Sequence, residues 1–350
     1  AIFAQAIFTQ APQAKMGQLC AAPQSTSLSE DMVVAGSDHQ GDIEVGVAEA
    51  AVLEHAPRQP WPAASLEALR DDGTVLIPSV LSATTTATLR SNLESKLAAA
   101  LEAVAAGTAS ENDHFVPVLS RKCRHDLKLA LEPMVVSALA EALQVLGPFV
   151  RGALQCDEPL LAEVGAIRST DGAPRQPIHS DINTSCSELP GMLTAFVALQ
   201  DVDEQMGPTT FMPGTHTKPQ AHKAIRSPSQ KAKLLRATPI RLGTMPEGAC
   251  TLYNTHLLHA GGANESPRCR WLFYMSFVPD HQRFVIALLR VYTDLCRLGV
   301  HSVGELQRGA VRNPDDEETK RLKAMWYNVI DDEEVKRSKA MWDAMMDLFH

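Results

Sequence analysis

The feature that most constrains the fold of this chain is a series of short, strand-like segments between residues 160 and 280. Each segment is rich in apolar, aromatic or β-branched residues, and Gly, Pro, Asn or Asp separates it from the next one. The segments are 161–168, 193–202, 209–212, 237–242, 250–253 and 270–278. Short strands with turn signals at this density are typical of a sandwich or barrel. We therefore predict an all-β core over residues 160–280.

Helical patterns precede this core. The expected elements are a strand at 75–77, a short helix at 65–70 and longer helices at 82–105 and 133–146. In the longest helix Leu89, Leu93 and Leu97 recur every fourth residue, which gives the helix one apolar face. Helices followed by a block of strands predict a mainly β protein with flanking helices. Its core is expected to be a double-stranded β-helix (a jelly-roll or cupin-like barrel), buttressed by N-terminal and C-terminal helices.

These patterns divide the chain into three parts. The main domain is expected at 56–312, with its helical part at 82–150. Residues 1–55 are rich in Ala, Gln, Ser, Gly and acids without periodicity, so we expect them to be disordered or an extension. Residues 313–350 are expected to be an acidic helical tail, in which DDEETKRLKAMW returns 16 residues later as DDEEVKRSKAMW. The Met and Trp ends of this repeat either pack on the barrel or offer a surface to a protein partner.

The formal charge of -9 is distributed unevenly. Residues 1–55 carry -6 and residues 313–350 carry -4, which leaves about +1 on the middle of the chain. Nucleic-acid binding needs a basic surface, so that function is excluded, whereas the arginines of the middle still allow an anionic small molecule. No apolar run approaches the roughly 18 residues of a membrane span, and no secretory signal is recognised. We therefore expect a cytoplasmic protein that has no membrane partner.

The polar segment HSDINTS contains a candidate pair of metal ligands, His179 and Asp181. Residues i and i+2 of a strand point to the same side, so these two side chains project together. The motif alone is weak, since the chain has twelve histidines and a surface His and Asp give the same pattern. A third ligand has to come from a distant strand. We favour His259, which precedes the glycine pair 261–262 that lets the backbone approach a site closely, and His256 is the competitor.

Two imidazoles and one carboxylate form the ligand set that binds Fe(II) on one face and leaves open positions for a cosubstrate and O₂. Arg270 follows the distal histidine on an otherwise apolar strand, where a guanidinium needs a partner. A carboxylate such as that of 2-oxoglutarate fits it, because guanidinium binds carboxylate bidentately. An internal salt bridge of Arg270 is the alternative, and Arg268 is another candidate anchor. Thr209 is positioned to offer a hydroxyl to the cosubstrate, and we expect His216 at the surface.

Four segments together resemble the phytanoyl-CoA dioxygenase-like family of Fe(II)/2-oxoglutarate oxygenases. They are DDGTVLIPSVLS, QPIHSD, GPTTFMPGTH and HAGGAN followed by Arg270, in this order between about residues 65 and 280. The resemblance implies a double-stranded β-helix, iron held by His179, Asp181 and His259, and 2-oxoglutarate gripped by Arg270. It also implies cofactor contacts for Thr209 and Gln176, which match positions that lie near the cosubstrate or the metal in this family.

The implied activity is a dioxygenase that hydroxylates, or otherwise oxidises, a C–H bond of a small molecule and releases succinate and CO₂. Related iron halogenases have Gly or Ala at the carboxylate position, so Asp181 favours hydroxylation or another oxidation. A cupin-like isomerase or lyase that uses Zn or Mn is the alternative enzyme. A barrel that binds a small ligand, with a partner-binding tail, is the alternative without catalysis. The substrate itself is not identified by these motifs.

Overall fold

The computed structural model describes residues 49, 51–54, 56–182, 191–279, 298–312, 317 and 320. Nearly all of the tail with its 16-residue repeat and nearly all of the extension lie outside these residues. The helices are α1 (Leu66–Asp72), α2 (Ala83–Ala105), α3 (Glu111–His114), α4 (Pro133–Leu154), α5 (Pro219–Ala224), α6 (Pro228–Ala237) and α7 (Val303–Gln307). The strands are β1 (Thr74–Ile77), β2 (Arg124–Lys128), β3 (Leu160–Ser169), β4 (Leu193–Ala198), β5 (Thr209–Phe211), β6 (Arg241–Leu242), β7 (Cys250–Asn254), β8 (His259–Gly261) and β9 (Arg270–Val278).

These strands form two antiparallel sheets. The larger sheet has the order β1-β7-β4-β9-β3-β2, and the smaller sheet has the order β6-β5-β8. An isolated bridge between His179 and His259 adds the segment that contains the HSD motif to the smaller sheet. The expected fold is therefore confirmed: the protein is mainly β with flanking helices, and its core is a double-stranded β-helix.

The larger sheet separates two apolar clusters because successive side chains of a strand point to opposite faces. On β9, Trp271 and Phe273 belong to the cluster that packs on the helices. Leu272 and Tyr274 instead belong to the cluster inside the barrel, together with Phe211 of the smaller sheet. This alternation turns Arg270, an even-numbered residue of β9, towards the barrel interior.

Helix α4 extends eight residues beyond its predicted end at 146, in spite of Pro148. The apolar face of the helix continues, and Val150 and Leu154 are buried. A side chain from α7 supports the region around the proline, since Gln307 donates a hydrogen bond of 2.6 Å to the carbonyl of Leu143. Among the described residues, α4 is the one helix whose length and composition would suffice to cross a membrane, and half of that window is buried. Burial of this kind is typical of a core helix.

The strands β6 and β2 differ from the prediction. The segment expected as a strand at 237–242 is helical up to Ala237, and β6 contains only Arg241 and Leu242. The prediction was wrong there because Pro228 at the first turn starts a helix that good helix formers continue. Strand β2 was not predicted, since its sequence RHDLK lacks an apolar alternation. It forms at the edge of the sheet, where pairing with β3 determines its conformation.

Candidate active site

The HSD segment runs antiparallel to the segment that contains His259. The backbones of His179 and His259 exchange two hydrogen bonds of 3.0 and 2.8 Å. On either side, the N–H of Gln176 donates to Gly261 and the N–H of Asp181 donates to Thr255. The two imidazoles are therefore direct neighbours across the pair, with ring centroids 4.6 Å apart.

The structure brings His179, Asp181 and His259 together as one possible metal-binding group. One ligand atom from each residue lies within 4.8 Å of the others. Oδ1 of Asp181 is 3.6 Å from Nε2 of His259 and 4.0 Å from Nε2 of His179. Metal–ligand bonds to such atoms are about 2.0–2.2 Å long, so one ion can bridge each of these gaps. No other group of this kind occurs in the described part of the chain.

Backbone carbonyls determine which nitrogen of each imidazole faces the site. Nδ1 of His179 donates to the carbonyl of Pro177, and Nδ1 of His259 donates to the carbonyl of Leu257, both at 2.8 Å. A carbonyl oxygen only accepts, so Nδ1 carries the proton and Nε2 of the neutral ring keeps its lone pair. Orientation of this kind is what metal-bound histidines commonly show. Both rings thus present Nε2 as the ligand atom.

A tyrosine that the sequence did not single out orients the carboxylate. The hydroxyl of the buried Tyr253 donates a hydrogen bond of 2.9 Å to Oδ2 of Asp181. The same ring contacts His259, with centroids 4.9 Å apart. Tyr253 lies near the end of the apolar segment ACTLYN. The sequence contains one indication of its role, which is that a tyrosine hydroxyl in a buried strand needs a hydrogen-bond partner.

The competing histidines lie outside the triad. His256 is buried, and burial, followed by the charges of His222 and His216, lowers its pKa to about 4. His216 was expected at the surface, and this prediction was wrong, because the residue is buried and its Nε2 bonds to the carbonyl of Arg70 at 2.9 Å. The ring fits there because Gly73 has no side chain: a Cβ at that position would be 2.4 Å from Nδ1 of His216.

Arg270 is buried inside the barrel, where no described residue provides a counter-charge. It is 2% exposed, its Nη2 is 3.3 Å from Oγ of Ser169, and its Nε and Nη1 have no hydrogen-bond partner. In the described residues it forms no ion pair, so the internal salt bridge considered above is absent from that part of the chain. Burial, followed by the charge of Arg124, lowers the pKa of Arg270 to about 9. Arg268, the other candidate anchor, is exposed and pairs with Asp203.

A second buried arginine, which the sequence analysis missed, lies beside Arg270. Arg124 shares the hydroxyl of Ser169 with it and donates to the carbonyls of Ser120, at 2.9 Å, and Pro174, at 2.8 Å. Burial, followed by the charge of Arg175, lowers the pKa of Arg124 to about 10. Two neighbouring guanidinium groups in a buried site produce a positive potential, which an anion would neutralise. Arg124 gave no signal because it lies on the unpredicted strand β2.

The two further candidates for cofactor contact lie near the triad. Gln176 accepts a hydrogen bond of 2.9 Å from the N–H of Gly261 and donates one of 3.1 Å to the carbonyl of Leu119. A Cβ at Gly261 would lie 2.6 Å from Oε1 of Gln176, which explains the glycine. Thr209 is buried on β5, two residues from Phe211, whose ring stacks on His259 with centroids 6.2 Å apart. Thr209 therefore lies on the strand face that points into the barrel.

A cavity of about 270 Å³ opens beside the triad. Its walls are His179 and Ser180 of the metal segment and His222, Ile225 and Arg226 at the end of α5. Burial lowers the pKa of His222, so Arg226 is the permanently charged group of this wall.

Comparisons with known proteins identify the family of this chain. A family model described as phytanoyl-CoA dioxygenase (PhyH) matches residues 69–271. The dioxygenase FrzG from Cladobotryum sp is 26% identical over 236 residues, which cover 61% of this chain and 73% of FrzG. The matched region contains the candidate ligands and Arg270.

Solved structures are similar at lower identity. The non-haem α-ketoglutarate-dependent carbocyclase SnoK from nogalamycin biosynthesis is 16% identical, with a TM-score of 0.48 over 62% of this chain and 84% of SnoK. HygX from Streptomyces hygroscopicus, whose structure contains nickel and 2-oxoglutarate, is 17% identical, with a TM-score of 0.44 over 63% of this chain and 89% of HygX. The family model, which covers more than half of the chain, confirms the resemblance inferred from the four sequence segments. The chain belongs to the phytanoyl-CoA dioxygenase family and is an Fe(II)/2-oxoglutarate-dependent oxygenase.

Proposed function

We propose that His179, Asp181 and His259 hold the Fe(II) of this oxygenase, and that the enzyme oxidises a C–H bond of a small molecule. The observation that carries this proposal is the convergence of the three ligand atoms within 4.8 Å. Two imidazoles and one carboxylate suit Fe(II) and leave coordination positions open. Bound iron, with 2-oxoglutarate and O₂, supplies the oxidation of the C–H bond and the release of succinate and CO₂.

Arg270 is proposed to bind the distal carboxylate of 2-oxoglutarate. Two of its nitrogens are buried and have no hydrogen-bond partner among the described residues, and an unpaired buried charge is costly. A carboxylate that accepts hydrogen bonds from the guanidinium removes this cost. Arg124 already donates to backbone carbonyls, so we expect it to contribute positive charge to the cosubstrate site and not a bidentate hydrogen bond. Because Arg270 and Arg124 together produce a positive potential, the site should favour a cosubstrate with two negative charges.

Thr209 and Gln176 are proposed to complete the cosubstrate site. Thr209 lies on the inward face of β5 and offers a hydroxyl. The carboxamide of Gln176 joins Gly261 to Leu119, so it aligns the strand of His259 with the HSD segment. The apolar rings of Phe211 and Tyr253 cover His259 and exclude water from this side of the site.

We propose further that the substrate carries a negative charge. Residues 207–246 contain seven Lys or Arg and no Asp or Glu, in a chain whose net charge is -9. Lys231 and Arg241 pair with acids, whereas Lys218, Lys223, Lys233 and Arg236 form no ion pair within the described residues. The cavity beside His179 is bounded by this segment through Arg226. A basic wall of this kind attracts an anionic substrate.

The proposed function is tested by anaerobic titration of the purified protein with Fe(II) and then with 2-oxoglutarate, followed by measurement of succinate after O₂ is admitted. We expect one Fe(II) per chain and succinate formation that depends on Fe(II) and increases with substrate. Retention of Zn or Mn without conversion of 2-oxoglutarate would contradict the proposal and would match the cupin-like isomerase or lyase.

The charge of the substrate is tested with small carboxylic acids and their methyl esters, compared by the succinate that they induce. We expect the acids to be the better inducers. Arg226→Gln should raise the KM of the acids and leave the esters unchanged, and Arg308→Gln, which changes an exposed charge after α7 and outside residues 207–246, is the control. Equal induction by acids and esters would contradict an anionic substrate. A partner for the tail 313–350 and a cytoplasmic location stay predictions.

A further inference from the structure

A buried carboxylate from the N-terminal segment reaches the strand that contains the HSD motif. Glu49 precedes residue 69, where the match to the family model begins, and it is 5% exposed. Its Oε2 accepts a hydrogen bond of 2.7 Å from the backbone N–H of Ile178, and its Oε1 forms an ion pair with Lys231 of α6. The last residues of the segment 1–55 therefore pack against the main domain.

The surroundings of Glu49 are apolar, which strengthens both contacts. Ile178 belongs to a buried cluster that also contains Leu53 of the N-terminal segment and Leu235 of α6. Charge-assisted hydrogen bonds in such surroundings are stronger than neutral ones, and loss of one partner leaves the other group buried and unsatisfied. The charge of Glu49 is also felt by Arg175: burial lowers the pKa of that arginine, and Glu49 opposes this effect.

The position of the contact matters because Ile178 directly precedes His179. The backbone of His179 bonds to His259 on one side, and the N–H of its neighbour is held by Glu49 on the other. Lys231 follows the residues that form the wall of the cavity, His222 to Arg226. One carboxylate thus connects the HSD segment to the basic helix beside the cavity.

We propose that Glu49 is a positioning residue of the metal site: it fixes the backbone before His179 and holds α6 against it. This inference rests on the proposed role of the triad in iron binding. It assigns a function in the active site to a residue outside the region that the family model matches. Without the carboxylate, the N–H of Ile178 loses its acceptor and the ammonium of Lys231 loses its counter-charge.

The experiment uses the full chain and measures two properties that do not require turnover. The first is hydrogen exchange, in the metal-free protein, of the peptide that contains the amide of Ile178. The second is the affinity for Fe(II) under anaerobic conditions. For Glu49→Ala we expect faster exchange of this peptide and about a tenfold weaker Fe(II) affinity, as is typical when a group that orients a metal ligand is removed. Glu49→Gln keeps an acceptor for Ile178 and should restore much of both properties.

Two control variants separate positioning from general stability. Glu54→Ala removes an exposed carboxylate from the same segment and should change neither property. Leu53→Ala removes buried packing of the segment but keeps the carboxylate. It should lower the melting temperature, and its loss of Fe(II) affinity should be smaller than that of Glu49→Ala. The proposal is overturned if Glu49→Ala binds Fe(II) like the wild type, or if Leu53→Ala weakens binding equally.

The failure of the proposed function would look different. In that case the wild-type protein itself would bind no Fe(II), or His179→Ala would bind it equally well, and the inference about Glu49 would be overturned with it. If Glu49→Ala does not fold, Glu49→Gln carries the test, because it has nearly the same shape. Glu49→Gln keeps the acceptor for Ile178 and loses only the charge that pairs with Lys231. If it shows wild-type hydrogen exchange and the same Fe(II) affinity as Lys231→Met, the hydrogen bond and the ion pair contribute separately. Full wild-type Fe(II) affinity in both Glu49→Gln and Lys231→Met would contradict the positioning role of Glu49.

Discussion

The hydroxyl of Tyr253 donates a hydrogen bond to Oδ2 of Asp181, while Oδ1 of the same carboxylate faces the two imidazoles. The carboxylate therefore has a fixed orientation before any metal is bound. A ligand that is already oriented loses less conformational freedom on metal binding, which favours affinity.

We expect Tyr253→Phe to weaken Fe(II) binding about tenfold, since it removes only the hydroxyl that orients Asp181. The ring and its contacts with Phe196, Phe211 and His259 are kept, so the free energy of unfolding should change little. Anaerobic Fe(II) titration of both proteins measures the effect. An unchanged affinity would mean that the hydroxyl does not act on the ligand.

Removal of a proposed metal ligand should abolish the reaction. His179→Ala and Asp181→Ala are expected to bind less than one Fe(II) per chain and to form no substrate-dependent succinate, since a triad with one ligand missing holds the ion poorly. His114→Ala removes an imidazole of α3 that contacts Phe115 and no triad residue, and it should keep full activity. Succinate formation at the wild-type rate in His179→Ala would refute the ligand assignment.

Arg270→Ala is expected to weaken 2-oxoglutarate binding by about 2–4 kcal/mol, roughly 30- to 1000-fold in Kd, because it removes a buried charge-assisted pair. The Fe(II) affinity should be little affected. Arg268→Ala is the matched control, since Arg268 precedes the same strand but is exposed and paired with Asp203. Calorimetric titration with 2-oxoglutarate under anaerobic conditions distinguishes the two arginines, and equal losses in both variants would exclude a specific role for Arg270.

Stability should fall as the pH decreases from about 6.5 to about 4, partly because of His256. Its pKa is lowered from 6.5 to about 4 in the folded protein, so between these values the unfolded chain binds more protons than the folded one. Between pH 7 and pH 5 this difference costs about 2 kcal/mol of the free energy of unfolding. Urea unfolding of the wild type and of His256→Gln at both pH values measures it. A variant with the same pH-dependent loss as the wild type would contradict this origin.

The strand pattern and the HSD motif were accessible from the sequence because both are local. An apolar and aromatic run predicted β9 over its full length, and spacing by two predicted that His179 and Asp181 project together. The family resemblance rested on short segments whose order is preserved along the chain. Strand β2 was missed because its pairing with β3, and not its own residue preferences, determines its conformation. Helix α6 was missed because the helix that begins at Pro228 continues to Ala237, where a strand was predicted to begin.

What the sequence by itself determined is the class of fold and the identity of the residues that can bind a metal. Only the tertiary structure decided that His259, not His256, lies opposite His179, and that Arg270 is buried whereas Arg268 pairs at the surface. It also brought Tyr253 to Asp181 and Glu49 to the residue that precedes His179. The physical reason is that these relationships depend on the register between segments far apart in the chain, and register is determined by the packing of the whole barrel.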